Sequence, residues 1–490
     1  MVRLAITGLL LVLAACNGRD PQAIVFAVAS APTVLDPRLA SDAASERVNA
    51  LLFHRLVVLD DRGEPVAQMG RWQQLGPRHY RVELVPERRA FADGRQPDAH
   101  DVVATYQSVL DPALASPHRG GLAHIESIVA VDPSTVDFSL SRDDPLFPLR
   151  LTIGILPAAQ ARQTDAVETP RGSGAFAFQR RSGNGRLELR RRSDGQRLVM
   201  EQVADPTMRT LKLLRGEADL VQNDLPPEMV AYLADRPAVE LTTRPGTTFA
   251  YLGFNMADPI LARREVRAAV AHAIDRDAII RHLFGGRAEK AESVLRPGHW
   301  AGVGDMQPFG FDPETSRRLL AEAGFGPANP LNLVYKTSTD PLRLRIAHVF
   351  QQQLADVGIR LEIASYDWGT FFGDIKAGRF QLYSLAWVGV NSPDILRYAF
   401  HSASRPPAGA NRGRYHSVVV DRLVEEAEKL QAAQAAVLLR EAQRQVHDDL
   451  VYVPLWYEAN VAVSGDVSGF APGFDGNYLA LQRVMKRDGH

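Results

Sequence analysis

Cysteine is almost missing from this chain: its 490 residues include one, Cys16, so no intramolecular disulfide can form and stability must come from burial. Charge of one sign is missing too, with 56 Lys and Arg against 57 Asp and Glu. That balance gives no long-range field for nucleic acid, and no run of like charges behaves as a tail. The apolar stretch from Leu4 to Ala15 is shorter than the ~20 residues a spanning helix needs, and it ends at Asn17-Gly18-Arg19-Asp20. Neither GxxxxGK nor a strand-turn-helix GxGxxG occurs, which leaves nucleotide binding without support. HExxH and Cys/His clusters are absent, and Gly172-Ser173-Gly174 is only half of a GxSxG elbow. The histidines are scattered, and His118, His124, His401 and His416 read as solvated loop residues rather than metal ligands. Asp60-Asp61 and Asp143-Asp144 sit in turns, where aspartate bonds to backbone. No residue is nominated for catalysis, a metal or a cofactor.

The single cysteine closes Leu13-Ala14-Ala15-Cys16, directly behind an apolar run that follows Arg3. A basic start, a short apolar core and small residues read as a secretory signal. The pattern resembles the lipobox of bacterial lipoproteins, which implies a signal peptide over 1–15, acylation of Cys16 and a tether over 16–22. The body would then be held at the extracytoplasmic face of a bacterial membrane, with ~0.8 kcal/mol of anchoring per buried methylene. Asn17 leaves inner or outer membrane open. At 490 residues and 46% hydrophobic content the chain outgrows a single core, so two or more lobes are expected.

Along the body, residues 23–28 read as a buried strand, and Val48, Leu51, Leu52 and Leu56 share one helical face. A hairpin pairs 57–59 with 66–67, 80–84 alternates as a half-buried strand, and a helix begins near Asp98, so 57–157 reads as an α+β unit. Gly172 and Gly174 suggest a tight or close-packed backbone. Later come a helix over 206–214, strands over 218–221 and 249–255, and helices over 266–274 and 278–284. Asp312-Pro313 starts another helix, which Gly324 stops. Strand 331–335, a helix to Val357 and strand 358–363 imply a parallel crossover. Strands at 381–386 and 453–456 flank one long amphipathic helix from Asp421 to about Leu450.

Taken in order, these motifs resemble the family 5 extracellular solute-binding proteins of ABC transporters. Thr33-Val34-Leu35-Asp36-Pro37 is similar to the family's TLDP turn, and Phe91-Ala92-Asp93-Gly94-Arg95 with Asp101-Val102-Val103 matches its F-x-DG and DVV stretch. Gly172-Ser173-Gly174-Ala175-Phe176 resembles GTGPY, Asn255 through Ala273-Ile274-Asp275-Arg276 resembles a helix motif ending AIDR, and 312–324 resembles DpxxAkxLLaeAG. The resemblance implies an α/β, two-lobed periplasmic-binding-protein clamshell, type II and of the large class with an extra subdomain. Lobe I would comprise 23–253 and 461–490, with 57–157 the extra subdomain, and lobe II 254–460. Hinge closure would bury a short peptide or peptide-like solute and present it to ABC permease subunits; the receptor would be a monomer, with no enzymatic activity and no nucleic-acid partner.

In peptide-binding relatives the segment W-x-A-D-Y sets an aspartate against the ligand's α-ammonium. This chain has Trp387-Val388-Gly389-Val390-Asn391, which puts Val390 at that position. A buried ammonium without a carboxylate costs several kcal/mol, so either Asp394 substitutes or the ligand lacks an amine there. Trp387 is the first candidate contact, as a flat apolar wall with one donor or else a core tryptophan. Asn391 and Asp394 follow, although Asp394 also suits a helix cap. Arg412 and Arg414 are candidates for a ligand carboxylate, and Phe249 and Tyr251 for the cleft lining or the core. Alternatives are a same-fold receptor for a nickel chelate, sugar or opine, and a ligand sensor that does not transport.

Overall fold

The computed structural model describes residues 22–487; the signal segment and Cys16 lie outside them. Among the described residues no helix is long and apolar enough to cross a membrane.

The chain opens with β1 (Ile24–Val28), buried along its whole length, as a strand flanked by parallel neighbours should be. Helix α1 (Ala43–Leu52) follows, capped by the Asp42 carboxylate. It stops before Leu56, shorter than the apolar face suggests. The Leu52 carbonyl accepts from Gly174 N at 2.8 Å, and a Cβ on Gly172 or Gly174 would lie 2.0 and 2.2 Å from the Leu52 and Leu51 carbonyl oxygens. Glycine is therefore obligatory where the 172–176 segment crosses the helix end.

Next comes a hairpin, β2 (Val57–Leu59) with β3 (Pro65–Ala67). A four-stranded antiparallel sheet then forms from β4 (Gly70–Gly76), β5 (His79–Leu84), β6 (Ile125–Asp132) and β7 (Thr135–Leu140), in the order β4-β5-β7-β6. Helix α2 (Ala99–Leu110) covers it, started by a capping box between Asp98 and Asp101. This unit has its own core around Tyr80, Tyr106, Phe138 and Phe147. Within it His124 is buried on Asp144 at 2.9 Å, and further on His401 is buried on Glu425 at 3.1 Å. Both correct the solvated reading; carboxylates supplied from distant sequence make burial possible.

The main sheet resumes with β8 (Phe176–Arg181), β9 (Leu187–Arg191), β10 (Arg197–Gln202), α3 (Pro206–Leu214), β11 (Leu220–Gln222), α4 (Pro227–Ala234) and the long β12 (Glu240–Phe254). The second half brings α5 (Arg264–Ala273), α6 (Arg276–Leu283), β13 (Ala288–Lys290), α7 (Pro313–Glu322), β14 (Leu331–Ser338), α8 (Pro341–Asp356), β15 (Ile359–Tyr366), α9 (Trp368–Ala377), β16 (Leu382–Trp387), α10 (Asp394–Phe400), α11 (Val418–Ala427), α12 (Ala432–Asp448) and β17 (Tyr452–Ser464). Where one helix was expected from Asp421 to Leu450 there are two, because Gln431 takes extended backbone (φ −61°, ψ 151°) and lets the chain fold back. α11 and α12 then pack through Val420, Val424, Ala435 and Leu439.

All but the small sheets join in one eleven-stranded sheet, ordered β15-β14-β16-β12-β17-β11-β1-β10-β9-β8, with β13 added to β17. β14, β15 and β16 are mutually parallel, as are β1, β10 and β11. β12 runs antiparallel to β16 and to β17, and β17 antiparallel to β11. The two parallel sets therefore run in opposite senses, and their carboxyl ends face each other. Only β12 and β17 belong to both half-sheets. Their pairing slips between Arg244 and Thr248.

Candidate functional site

Open α/β sheets bind ligands beyond the carboxyl ends of their strands, and here two such edges meet at the β12–β17 slip. The bulged residues Pro245, Gly246 and Thr247 lie beside the segment that continues β16, and Val390 N donates to Thr247 O at 3.3 Å. Gly246 is pressed on β17: a Cβ there would come within 2.3 Å of Glu458 O. From the other side the β2–β3 turn enters. Gly63 has φ +74°, and a Cβ on it would sit 2.2 Å from His299 Nε2 and 2.7 Å from Asn391 O. His299 accepts from Ala301 N at Nδ1 (3.1 Å), so its proton belongs on Nε2, which donates to Asn391 O at 3.2 Å. Burial holds the His299 imidazole down to about 4, its bond to Asn391 O and the nearby Asp60 opposing, so it is neutral at pH 7. These parts enclose a cavity of about 260 Å³, lined by Asp61, Arg244, Thr247, Arg296, Val390 and Asn391 among others.

Of the residues nominated from sequence, Asn391 lines this cavity, and its amide oxygen is buried without a hydrogen-bond partner. Trp387 is half-buried at the end of β16. Beneath it runs a ladder of rings: Tyr452 and Tyr251 centroids are 4.0 Å apart and Tyr251 and Trp387 6.1 Å. The Arg412 guanidinium lies 4.4 Å from the Trp387 ring and 5.4 Å from Phe372. Phe372 in turn stacks on the exposed Trp368 at 5.3 Å. Phe249 and Tyr251 are wholly buried in the core of the second half. They support Trp387 from below and do not line the cavity. Arg412 Nη1 donates to the Tyr251 hydroxyl at 3.0 Å. Arg414 lies elsewhere, donating to Lys376 O at 3.2 Å and packing on Gly378. Asp394 is not the cap of α10, whose start has no side-chain cap bond; its carboxylate pairs with Arg150 at 3.0 Å.

Sequence reasoning missed the residues that close this space. Gly63, Arg244, Thr247 and His299 come from three separate segments; the hairpin turn that holds Gly63 and the turn-forming string Arg296-Pro297-Gly298-His299-Trp300 carried local signals, but nothing local placed them together. It also missed Asp224, beyond β11, which with Asn223 takes left-handed backbone (φ 53° and 56°). The Asp224 carboxyl is pushed up from the usual carboxylate range by burial, with Glu458 and Asp340 adding and Arg47 and Arg209 opposing.

Both flanks of the cleft are bridged. Glu228 on α4 and Arg345 on α8 make a bidentate pair at 3.0 and 3.1 Å. Opposite, Arg150 meets Asp394, and Gln431 Nε2 donates to Gln74 Oε1 at 2.9 Å. The two half-sheets are thus drawn together around the cavity. Among the described residues no group of three or more His, Cys, Asp or Glu is placed to hold a metal ion.

A family model described as bacterial extracellular solute-binding proteins, family 5 Middle, matches residues 72–406. A di/tripeptide-binding protein of Pseudomonas aeruginosa is 26% identical, over 74% of this chain and 74% of its own. A glutathione-binding protein of Shigella boydii is also 26% identical, over 96% and 95%. Among solved structures, NikZ of Campylobacter jejuni in complex with Ni(L-His) superposes with a TM-score of 0.82 at 20% identity, covering 96% of this chain and all of that one.

Proposed function

The chain belongs to the bacterial extracellular solute-binding proteins of family 5, and on that premise we propose that it captures a short peptide or peptide-like solute between its two lobes and delivers it to an ABC importer. The supporting observation is the arrangement of strand ends: two half-sheets turn their carboxyl edges toward each other and, among the described residues, share only β12 and β17, and the cavity lies at the slip between these two strands, with Val390 and Asn391 beyond β16 on its wall. Bending at the slip between Arg244 and Thr248 opens and closes the space, so a ligand that touches both edges selects the closed form. The hinge of this reading is the slip itself. Lobe I comprises 23–253 and 461–490, lobe II 254–460, with the slip just ahead of the first boundary, and the unit over 57–157 belongs to lobe I. Acylated Cys16 tethers a monomeric receptor to the extracytoplasmic face of the membrane, where permease subunits are its partners and no reaction is catalysed.

Trp387, which stands outside the cavity lining at the end of β16, is in this reading an apolar wall of the wider cleft, supported by Arg412 and Tyr251, and Asn391 supplies polar contact. The decisive experiment incubates the protein from Asn17 onward with a pool of di- to tetrapeptides and records thermal shift and mass spectra of what is retained. Stabilisation by peptides supports the reading. If no peptide shifts the protein while a co-purified chelate or sugar is found, the receptor remains and its peptide ligand is overturned. Val390, where peptide-binding relatives are expected to carry a carboxylate, is the observation that keeps this second ligand class in view.

A further inference from the structure

The cavity holds polar groups that the protein leaves unanswered. Thr247 is only 7% exposed, and its hydroxyl is buried with no hydrogen-bond partner. The Asn391 amide oxygen is in the same state, and turning that amide over places its Nδ2–H donors there instead. A buried polar atom without a partner costs ~1–3 kcal/mol, and two of them on one cavity wall point to a polar group that enters it.

The charges on the wall indicate which kind. Two guanidinium groups, Arg244 and Arg296, line the space, against one carboxylate, Asp61. Arg296 is engaged, donating to Gly246 O and to Glu289. Among the described residues the Arg244 side chain makes no hydrogen bond. Its nearest carboxylate oxygen, on Asp61, is 3.9 Å away, and both side chains are about half exposed. His299 adds no charge, since its Nδ1 accepts from Ala301 N and carries no proton, and its Nε2–H is spent on Asn391 O; Val390 is apolar. An ammonium entering here would meet two cations against the single carboxylate of Asp61. A carboxylate would meet the Arg244 guanidinium, which only the loose pair with Asp61 engages, the Thr247 O–H and, with the Asn391 amide turned over, its Nδ2–H donors, a set suited to charge-assisted bonding.

We propose that this cavity receives a carboxylate of the ligand, with Arg244 as its ionic partner and Thr247 and Asn391 as hydrogen-bond donors. The proposal rests on the peptide-like reading and assigns an orientation within it: the ligand enters carboxylate first, and its amino end points out of the cavity.

The test uses one pool of di- to tetrapeptides in four forms: free acids, C-terminal amides, N-acetylated acids, and amides that carry one glutamate side chain. Retention is compared by mass spectrometry and affinity by calorimetry. Amidation is expected to weaken binding at least tenfold and N-acetylation less than threefold. Recovery of the glutamate-bearing amides would identify a side-chain carboxylate as the group bound, and no recovery the C-terminal one. Arg244→Gln should cost the acids at least tenfold and the amides less than threefold, with partial rescue by Arg244→Lys and unchanged melting in both variants. Amides that bind as tightly as acids, or acetylation that abolishes binding, overturn the proposal while leaving the peptide receptor standing. Retention of none of the four forms overturns both.

Discussion

The turn after β1 and the wall of the cleft each bury an arginine, and the protein treats the two in opposite ways. Arg38 is fully enclosed. Its guanidinium grips Asp36 at 2.7 and 3.0 Å and donates to the carbonyls of Ala161 and Gln163 at 2.7 and 3.0 Å, while Asp36 also accepts from Val167 N. Arg412 is 8% exposed and has no carboxylate at all: aromatic rings flank it, one tyrosine hydroxyl accepts from it, and its Nε is buried without a partner. The Arg38 charge is neutralised in place. The Arg412 charge is left short of partners, which costs stability and keeps it available to order the wall or to answer a ligand.

Breaking the scaffold side should have the largest effect. Arg38→Met leaves Asp36 buried and uncompensated, and is expected to destabilise the protein by ~3–5 kcal/mol in urea unfolding; a loss under ~1 kcal/mol would remove the contrast. Next is the buried neutral imidazole. His299 titrates near 4 in the folded protein against 6.5 when free, so the unfolded chain binds more protons between those values and stability must fall as pH drops through that window. The drop amounts to about 3 kcal/mol at most, and His299→Gln, which keeps a donor to Asn391 O and does not titrate, should flatten the curve. An equally steep curve in the variant would place the titrating group elsewhere.

Arg412→Met should cost only ~1–2 kcal/mol, because no counter-charge is stranded and the losses are ring contacts and one hydrogen bond. Ligand binding should weaken more than stability does, through a loosened Trp387; an Arg38-sized loss of stability would show that Arg412 belongs to the scaffold. Smallest of all, Glu228→Gln removes an exposed pair worth ~0–1 kcal/mol. Its expected signature is a ligand-free protein that scatters X-rays as a more open particle, with unfolding unchanged. A particle no more open would mean that the pair does not hold the flanks together.

What the sequence disclosed and what it hid follow the range of the forces involved. Short-range signals were legible: the Asp312 cap on α7, the close approach at Gly172 and Gly174, and the crossover from β14 through α8 to β15, which is parallel in register from Leu331 to Ser338. The break between α11 and α12 was not, since residues 428–431 contain neither glycine nor proline and the amphipathic period runs across them. α9 was hidden by Gly369 and Gly373 inside it. At the site, Trp387 and Asn391 could be reached through a local motif. Thr247 becomes a cavity residue only because β12 slips against β17, and His299 only because a turn more than two hundred residues upstream delivers Gly63 beside it. Such contacts exist only once the chain has folded.

β17 has a bearing on how the molecule comes into being. It occupies residues 452–464, yet it is the strand through which β11, and behind it β1, joins the rest of the main sheet. Phe470, Tyr478 and Leu481, later still, complete the core around Phe26. The core around β1 therefore waits on the carboxyl-terminal segment, and a nascent chain lacking its final forty residues cannot close it. Contacts of such long sequence separation form slowly. On the proposed reading, in which the chain is exported, that delay keeps the core around Phe26 open until almost all of the polypeptide has been made.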